Sequence, residues 1–179
     1  METQSEQPDW NALGYAAGGW FDSGRVTVRP EWIDYNGHMN VGYYVVAFDS
    51  ATDALLDHLD VGEAYRHREN AGIYVLEAHV TYDLEVAEGV PIAFRTLILD
   101  HDPKRFHLIH HMIAVDPKAE NGGYLAATNE LLCMHVDLTS KRGTELPESA
   151  RLKLADIAGS SDGTTRPQGV GRIIGIRRR

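Results

Sequence analysis

The chain is poor in the residues that staple, span or coat. One of its 179 residues, Cys133, is a cysteine, so no intrachain disulfide can form. It sits in the apolar run Leu131-Leu132-Cys133-Met134, where a packed core thiol is expected rather than a nucleophile. Cations are scarce: 17 Lys and Arg against 26 Asp and Glu leave a net charge of -9. That balance argues against the broad basic face on which nucleic-acid binding depends. It leaves room for an anionic small ligand, because a local patch can oppose the net charge. No apolar run approaches the roughly 20 residues that span a bilayer. The opening METQSEQPDW has neither the basic nor the apolar segment of a secretory signal. These absences set the expectation of a cytoplasmic protein with no membrane and no nucleic-acid partner. No Gly-x-Gly-x-x-Gly dinucleotide pattern and no internal repeat occurs. What remains, 43% hydrophobic and 24% charged, is ordinary for one globular domain.

Periodicity organises the middle of the chain. Residues 1–23 carry few periodic signals and read as an arm, and 24–33 contain a short extended stretch limited by Pro30. Val41, Tyr44, Val45, Phe48, Thr52, Leu55 and Leu59 recur at steps of three and four, which predicts one apolar helix face. Asp49, Asp53 and Asp57 fall on a wetter face, Asn40 suits the N-cap, and Gly62 suits the exit. The period then changes to two. Tyr74, Leu76, Ala78, Val80, Tyr82, Leu84 and Val86 alternate with polar residues and predict a long strand with one buried face. Turn signals at Glu88-Gly89, Asp102-Pro103 and Asn121-Gly122 bound further strands over about 92–101, 106–115 and 124–138. Residues 147–158 read as a short helix, and 159–179 as a loose, basic, Gly-rich tail. The expected domain is 24–158: a two-layer α+β unit with a long helix on an antiparallel sheet. Its exposed strand edges favour a homodimer or a dimer of dimers.

Chemistry concentrates in Asp34-Tyr35-Asn36-Gly37-His38-Met39-Asn40, directly before the long helix. A helix start offers free amides and partial positive charge, which can hold an oxyanion. A carboxylate beside such a site is what acyl transfer from a thioester needs. Equally, an Asp in that position serves as a cap or dipole partner, and spacing alone leaves both readings open. His107, His110 and His111 do not make a metal site, since residues 107 and 111 of a strand stand about 13 Å apart and 110 points the other way. Glu77 and His79 share a polar strand face, and Asn129 and Glu130 point to opposite faces. Lys104, Arg105, Arg166, Arg172, Arg177, Arg178 and Arg179 offer charge for phosphates, or serve as solvated surface charge.

Residues 25–140 resemble the 4-hydroxybenzoyl-CoA thioesterase branch of the hot-dog superfamily. The resemblance rests on Asp34, Gly37, His38, Asn40 and Tyr44 at that branch's offsets. The runs WIDYNGHMNVGYYVVAFDSATDALLDHL, VLEAHVTYD, KRFHLIHHM and LAATNELLCMHVDL are similar to betainyl-CoA thioesterases of carnitine catabolism. The resemblance implies the hot-dog fold, an acyl-CoA substrate, no cofactor and no metal. It implies Asp34 as the catalytic carboxylate and the Val41 backbone amide as the oxyanion donor. His38 either orients Asp34 or contacts the substrate, or else caps the turn. Gly37, Asn40 and Tyr44 shape the substrate site, and a betainyl group would call on free rings, with Tyr35 and Tyr43 the candidates. The alternative is a noncatalytic acyl-CoA-binding or regulatory module of the same fold.

Overall fold

A computed structural model describes residues 7–15, 19–159 and 166–176. The strands are β1 (Phe21–Thr27), β2 (Ala71–Tyr82), β3 (Pro91–His101), β4 (Arg105–Val115), β5 (Gly123–Asp137) and β6 (Arg142–Gly143). The helices are α1 (Val41–His58), α2 (Glu63–Glu69) and α3 (Glu148–Gly159), and a short 3-10 turn spans Pro30–Trp32. One antiparallel sheet runs in the order β1-β3-β4-β5-β2, with β6 paired to the end of β5. The α+β expectation of a long helix on a single antiparallel sheet therefore holds.

The helix begins where the sequence marks it, because the Asn40 side chain accepts from the Gly42 amide. Its buried stripe is rotated from the expected one. Tyr44, Ala47, Phe48, Ala51, Thr52 and Leu55 are buried, whereas Val41 and Val45 stand 57% and 48% exposed. Small Ala47 and Ala51 let the helix lie close to the sheet, where Phe48 meets Phe94 and the His110 ring. The exit uses Asp60 at φ 59 rather than Gly62, which instead precedes α2, a helix the periodicity did not reveal.

β2 departs most from expectation. It ends at Tyr82, not Val86, and its partner is β5, not the next strand β3. The alternation does not mark one face. A bulge at Leu76 separates the pairs Val75↔Cys133 and Glu77↔Leu132. An extra residue in one strand switches which side chains face the helix. Val75 and Ala78 thus lie opposite the helix-facing Cys133 and Leu131, while Tyr74 points to the other face. As the sheet edge, β2 leaves Tyr74, Val75, Leu76 and Tyr82 between 43% and 48% exposed.

The face of the sheet away from α1 is covered by chain segments expected to be loose. The Tyr15 hydroxyl bonds His111 Nδ1 at 2.8 Å, and His111 Nε2 donates to the Gln168 carbonyl at 2.8 Å. The Gly171 amide donates to Glu130, whose other oxygen meets His107. β1 starts at Phe21, so the boundary at 23/24 falls inside a strand. Arg177, Arg178 and Arg179 lie outside the described residues.

Candidate active site

A tight loop carries the motif. Ile33 and Met39 form an antiparallel bridge, and the Asp34 amide donates to the His38 carbonyl at 3.0 Å. Gly37 closes the loop at φ 83, a conformation that only glycine adopts freely. The Asn40 amide donates to the Trp32 carbonyl and the Met39 amide to the Val86 carbonyl, which fastens the loop to the segment after β2.

The Asp34 carboxylate is half-buried. Its Oδ1 accepts the Asn36 amide at 2.8 Å, and no hydrogen bond among the described residues takes Oδ2. Asn40 Oδ1 takes the Gly42 amide at 2.9 Å, and no described residue accepts from the Val41 amide. Asp34 and Val41 line one open cleft of about 330 Å³, together with Asn36, His38, Met39, Tyr44 and residues 82–85. A residue with an unengaged carboxylate oxygen and a residue with an unengaged helix-start amide thus line the same cleft.

The other named residues divide. His38 lines the cleft, but its Nε2 meets Glu85 at 3.1 Å rather than Asp34. Tyr44 lines it and is otherwise buried, which raises its phenol above the ordinary value and keeps it a neutral donor. Gly37 and Asn40 shape the loop and the helix start without lining the cleft. Tyr35 is 97% exposed and Tyr43 stacks on Trp32 at 5.6 Å, and neither lines the cleft. Sequence reasoning passed over Tyr82, Asp83, Leu84 and Glu85, which it placed in a regular strand. The signal was the acidic pair Asp83 and Glu85 inside an apolar alternation.

The buried histidines and the cysteine of the sheet belong to its packing. His110 is fully buried between Thr52 and Thr96, and burial lowers its pKa to about 3. His111 is lowered to about 4 for the same reason. Burial pushes the Cys133 thiol up to about 12, which leaves it an inert core group. Among the described residues no three His, Cys, Asp or Glu side chains group to hold a metal, and no helix is long and apolar enough to cross a membrane.

Comparison with known proteins places these features. The chain is 34% identical to the betainyl-CoA thioesterase of Pseudomonas aeruginosa over 149 residues, 83% of this chain and 91% of that one. It is 32% identical to the L-carnitine dehydrogenase/betainyl-CoA thioesterase of Agrobacterium fabrum, matching 76% of this chain and 27% of that longer one. A Staphylococcus aureus protein solved in complex with CoA superposes with a TM-score of 0.80 at 27% identity, covering 90% of this chain and 98% of that one. A Synechocystis 1,4-dihydroxy-2-naphthoyl-CoA thioesterase shares the fold, with a TM-score of 0.66 at 14% identity over 77% of this chain and 97% of that one. The long helix on a curled antiparallel sheet is the hot-dog fold, and with residues 28–154 matching its profile the chain belongs to the thioesterase-like superfamily.

Proposed function

We propose that this chain hydrolyses betainyl-CoA to betaine and CoA in carnitine degradation, as a case of the acyl-CoA thioesterase activity its relatives are named for. The observation that carries the reading is that Asp34, with one carboxylate oxygen unengaged, and Val41, at the helix start with its amide unengaged among the described residues, line the same cleft. In the reaction, the Val41 N–H receives the thioester oxygen and stabilises the charge that develops on it. Asp34 either attacks the carbonyl carbon to form a mixed anhydride, which a water then hydrolyses, or takes a proton from a water that attacks directly; in both routes the water's proton ends on the CoA thiolate. The C–S bond breaks, CoA leaves as the thiol, and the acyl carbon ends as a carboxylate. A single turnover in ¹⁸O-water separates the routes: water activation puts the label in the product acid, whereas an Asp34 anhydride hydrolysed at its aspartyl carbonyl puts the label in Asp34 and leaves the first product unlabelled. The noncatalytic module considered above is not favoured, because a pure binder has no use for a carboxylate at the thioester carbonyl.

The reading includes a homodimer whose second copy completes the cleft. Its support is the open β2 edge, whose Tyr82 meets Tyr44 of α1 and lines the cleft with Val41, together with the exposure of Val41, Val45 and Val46 on α1. It also includes a cytoplasmic setting, where the one thiol stays reduced.

The test is a thiol-release assay over a panel of acyl-CoAs, with Asp34→Asn as the control. The expected loss is about 10²-fold or more in kcat, with CoA-ester binding retained. Near wild-type turnover by Asp34→Asn would refute the assignment of Asp34.

A further inference from the structure

A polar row crosses the sheet beneath α1. Thr96 of β3, His110 of β4, Asn129 of β5 and Val80 of β2 are cross-strand partners in turn. Directly opposed residues share a face. His110 shows which face this is, because its Nε2 meets the Thr52 hydroxyl of α1 at 3.1 Å. The polar groups around His110 are all paired. The Thr52 hydroxyl donates to the Phe48 carbonyl at 3.1 Å, so it accepts from the His110 Nε2–H. His110 Nδ1 then accepts from the Thr96 hydroxyl at 2.6 Å, and Thr96 accepts from the Ser23 hydroxyl at 2.5 Å. Asn129 is the exception in the row. It is 4% exposed, and no described residue donates to its buried Oδ1.

The place of Asn129 limits what its oxygen can meet. Its neighbours on the same face of β5 are Ala127 and Leu131, both part of the core under α1. Ala127 is the partner of Tyr82, whose ring meets Tyr44 at 5.2 Å and lines the cleft with Asp34 and Val41. Asn129 therefore lies one cross-strand pair further in, about 7 Å along the strand. On its other side Leu131 is the partner of Ala78, which is exposed, so α1 leaves this strip of the inner face open towards the β2 edge. A buried acceptor with no donor is filled by a water or by a ligand. The ligand at this place is the inner end of an acyl group whose carbonyl lies at Asp34 and the Val41 amide. The inference rests on the betainyl reading of that group. A trimethylammonium carries positive charge on its methyls and has no N–H to donate. It suits an oxygen that no donor has claimed, with ring faces beside it. An uncharged acyl group gives the oxygen nothing in exchange for the water it displaces. We propose that Asn129 is a specificity-determining residue whose carboxamide oxygen selects a quaternary ammonium acyl group.

The experiment compares betainyl-CoA with its uncharged isostere, 3,3-dimethylbutanoyl-CoA. The ratio of kcat/KM for the two esters is measured for the full-length wild type, Asn129→Leu and Asn129→Ala, with stability followed by urea unfolding. The wild type is expected to prefer the cation about tenfold or more. Both variants are expected to lose about fivefold or more of that preference. Leu fills the space of the amide and Ala empties it, so a fall common to both belongs to the oxygen and not to volume. Leu also removes a buried group that the chain itself does not satisfy, so Asn129→Leu is expected to be at least as stable as the wild type. A wild type without preference overturns the betainyl reading and this inference together. A preference that survives in either variant overturns this inference alone and leaves the betainyl reading standing, the oxygen then holding water only. An Asn129→Leu chain that is less stable than the wild type, or that does not fold, also overturns it, because the amide is then paired within the protein.

Discussion

Acid should destabilise this protein well above the range in which its carboxylates titrate, and two histidines set the size of the effect. His110 is enclosed by Thr52, Thr96 and the Phe48 ring, none of which carries charge. His111 lies against Tyr15 and the Gln168 carbonyl, with Asp83 acting at longer range. Burial lowers their folded pKa values to about 3 and about 4, against an ordinary value of 6.5. Below pH 6.5 the unfolded chain takes up both protons while the folded chain takes neither. The stability held above pH 6.5 is therefore lost as the pH falls towards 4. Each site contributes about 1.4 kcal/mol per pH unit in that window. From pH 8 to pH 5 the loss is about 2 kcal/mol per histidine, or about 4 for both, a large share of the roughly 5–15 kcal/mol typical of a domain. Asp60, Asp102 and Asp137 are held below the ordinary carboxylate value, chiefly by a hydrogen bond from Lys153, from the Lys104 amide and from the Ser140 amide respectively, so their contributions fade below this window. The assay is urea unfolding at pH 8, 6 and 5, at one protein concentration because any subunit association would also stabilise. His110→Gln, which keeps a side chain able to meet Thr52 and Thr96, should halve the loss. Equal stability at pH 8 and pH 5 would mean that these rings are not both buried and neutral.

Two further outcomes test the packing. Gly169→Ala places a Cβ onto the Thr128 hydroxyl at φ +95, and should release residues 166–176 from the sheet, read as faster proteolysis there with the core transition almost unchanged. Val75→Lys puts an inward charge on the β2 edge, and should shift the protein to monomers by light scattering and cut thioester hydrolysis about tenfold or more.

The fold was legible where one residue dictates one local structure. Asn40 caps α1 through the Gly42 amide, as its side chain and position indicated, and β3, β4 and β5 fall within a residue or two of their turn signals. The motif loop was legible for the same reason, because Gly37 has to take a left-handed conformation for Asp34 to come back beside the helix start. The packing of the termini was not legible. Trp10, Tyr15 and Trp20 show no period, since they pack on one another and on Arg95 and His111, which lie on strands distant in sequence.

Half of the cleft was hidden for a related reason. Tyr82, Leu84 and Val86 continue the alternation of β2, so nothing in their spacing ends the strand. The backbone ends it: the amides of Asp83 and Leu84 both turn to the one carbonyl of Ala126, and a ladder cannot continue from two donors on one acceptor. The chain then leaves the sheet, passes the helix start and fastens Met39 through the Val86 carbonyl. That departure carries Leu84 and Glu85 to the cleft, while the Asp83 carboxylate stays beside Thr81 on the outer face. A period of two reports that alternate residues are alike; it does not report what covers them. Along β2 the bulge at Leu76 exchanges the faces midway, and α1 reaches Val80 but leaves Val75 and Tyr82 half open. Apolar residues left open on a sheet edge, next to a cleft with its own apolar border, call for a cover that one chain does not supply. A second copy with the same edge is the simplest such cover, since a two-fold axis pairs like with like. It would also exclude water around Asp34, which strengthens the Val41 amide's hold on the developing oxyanion.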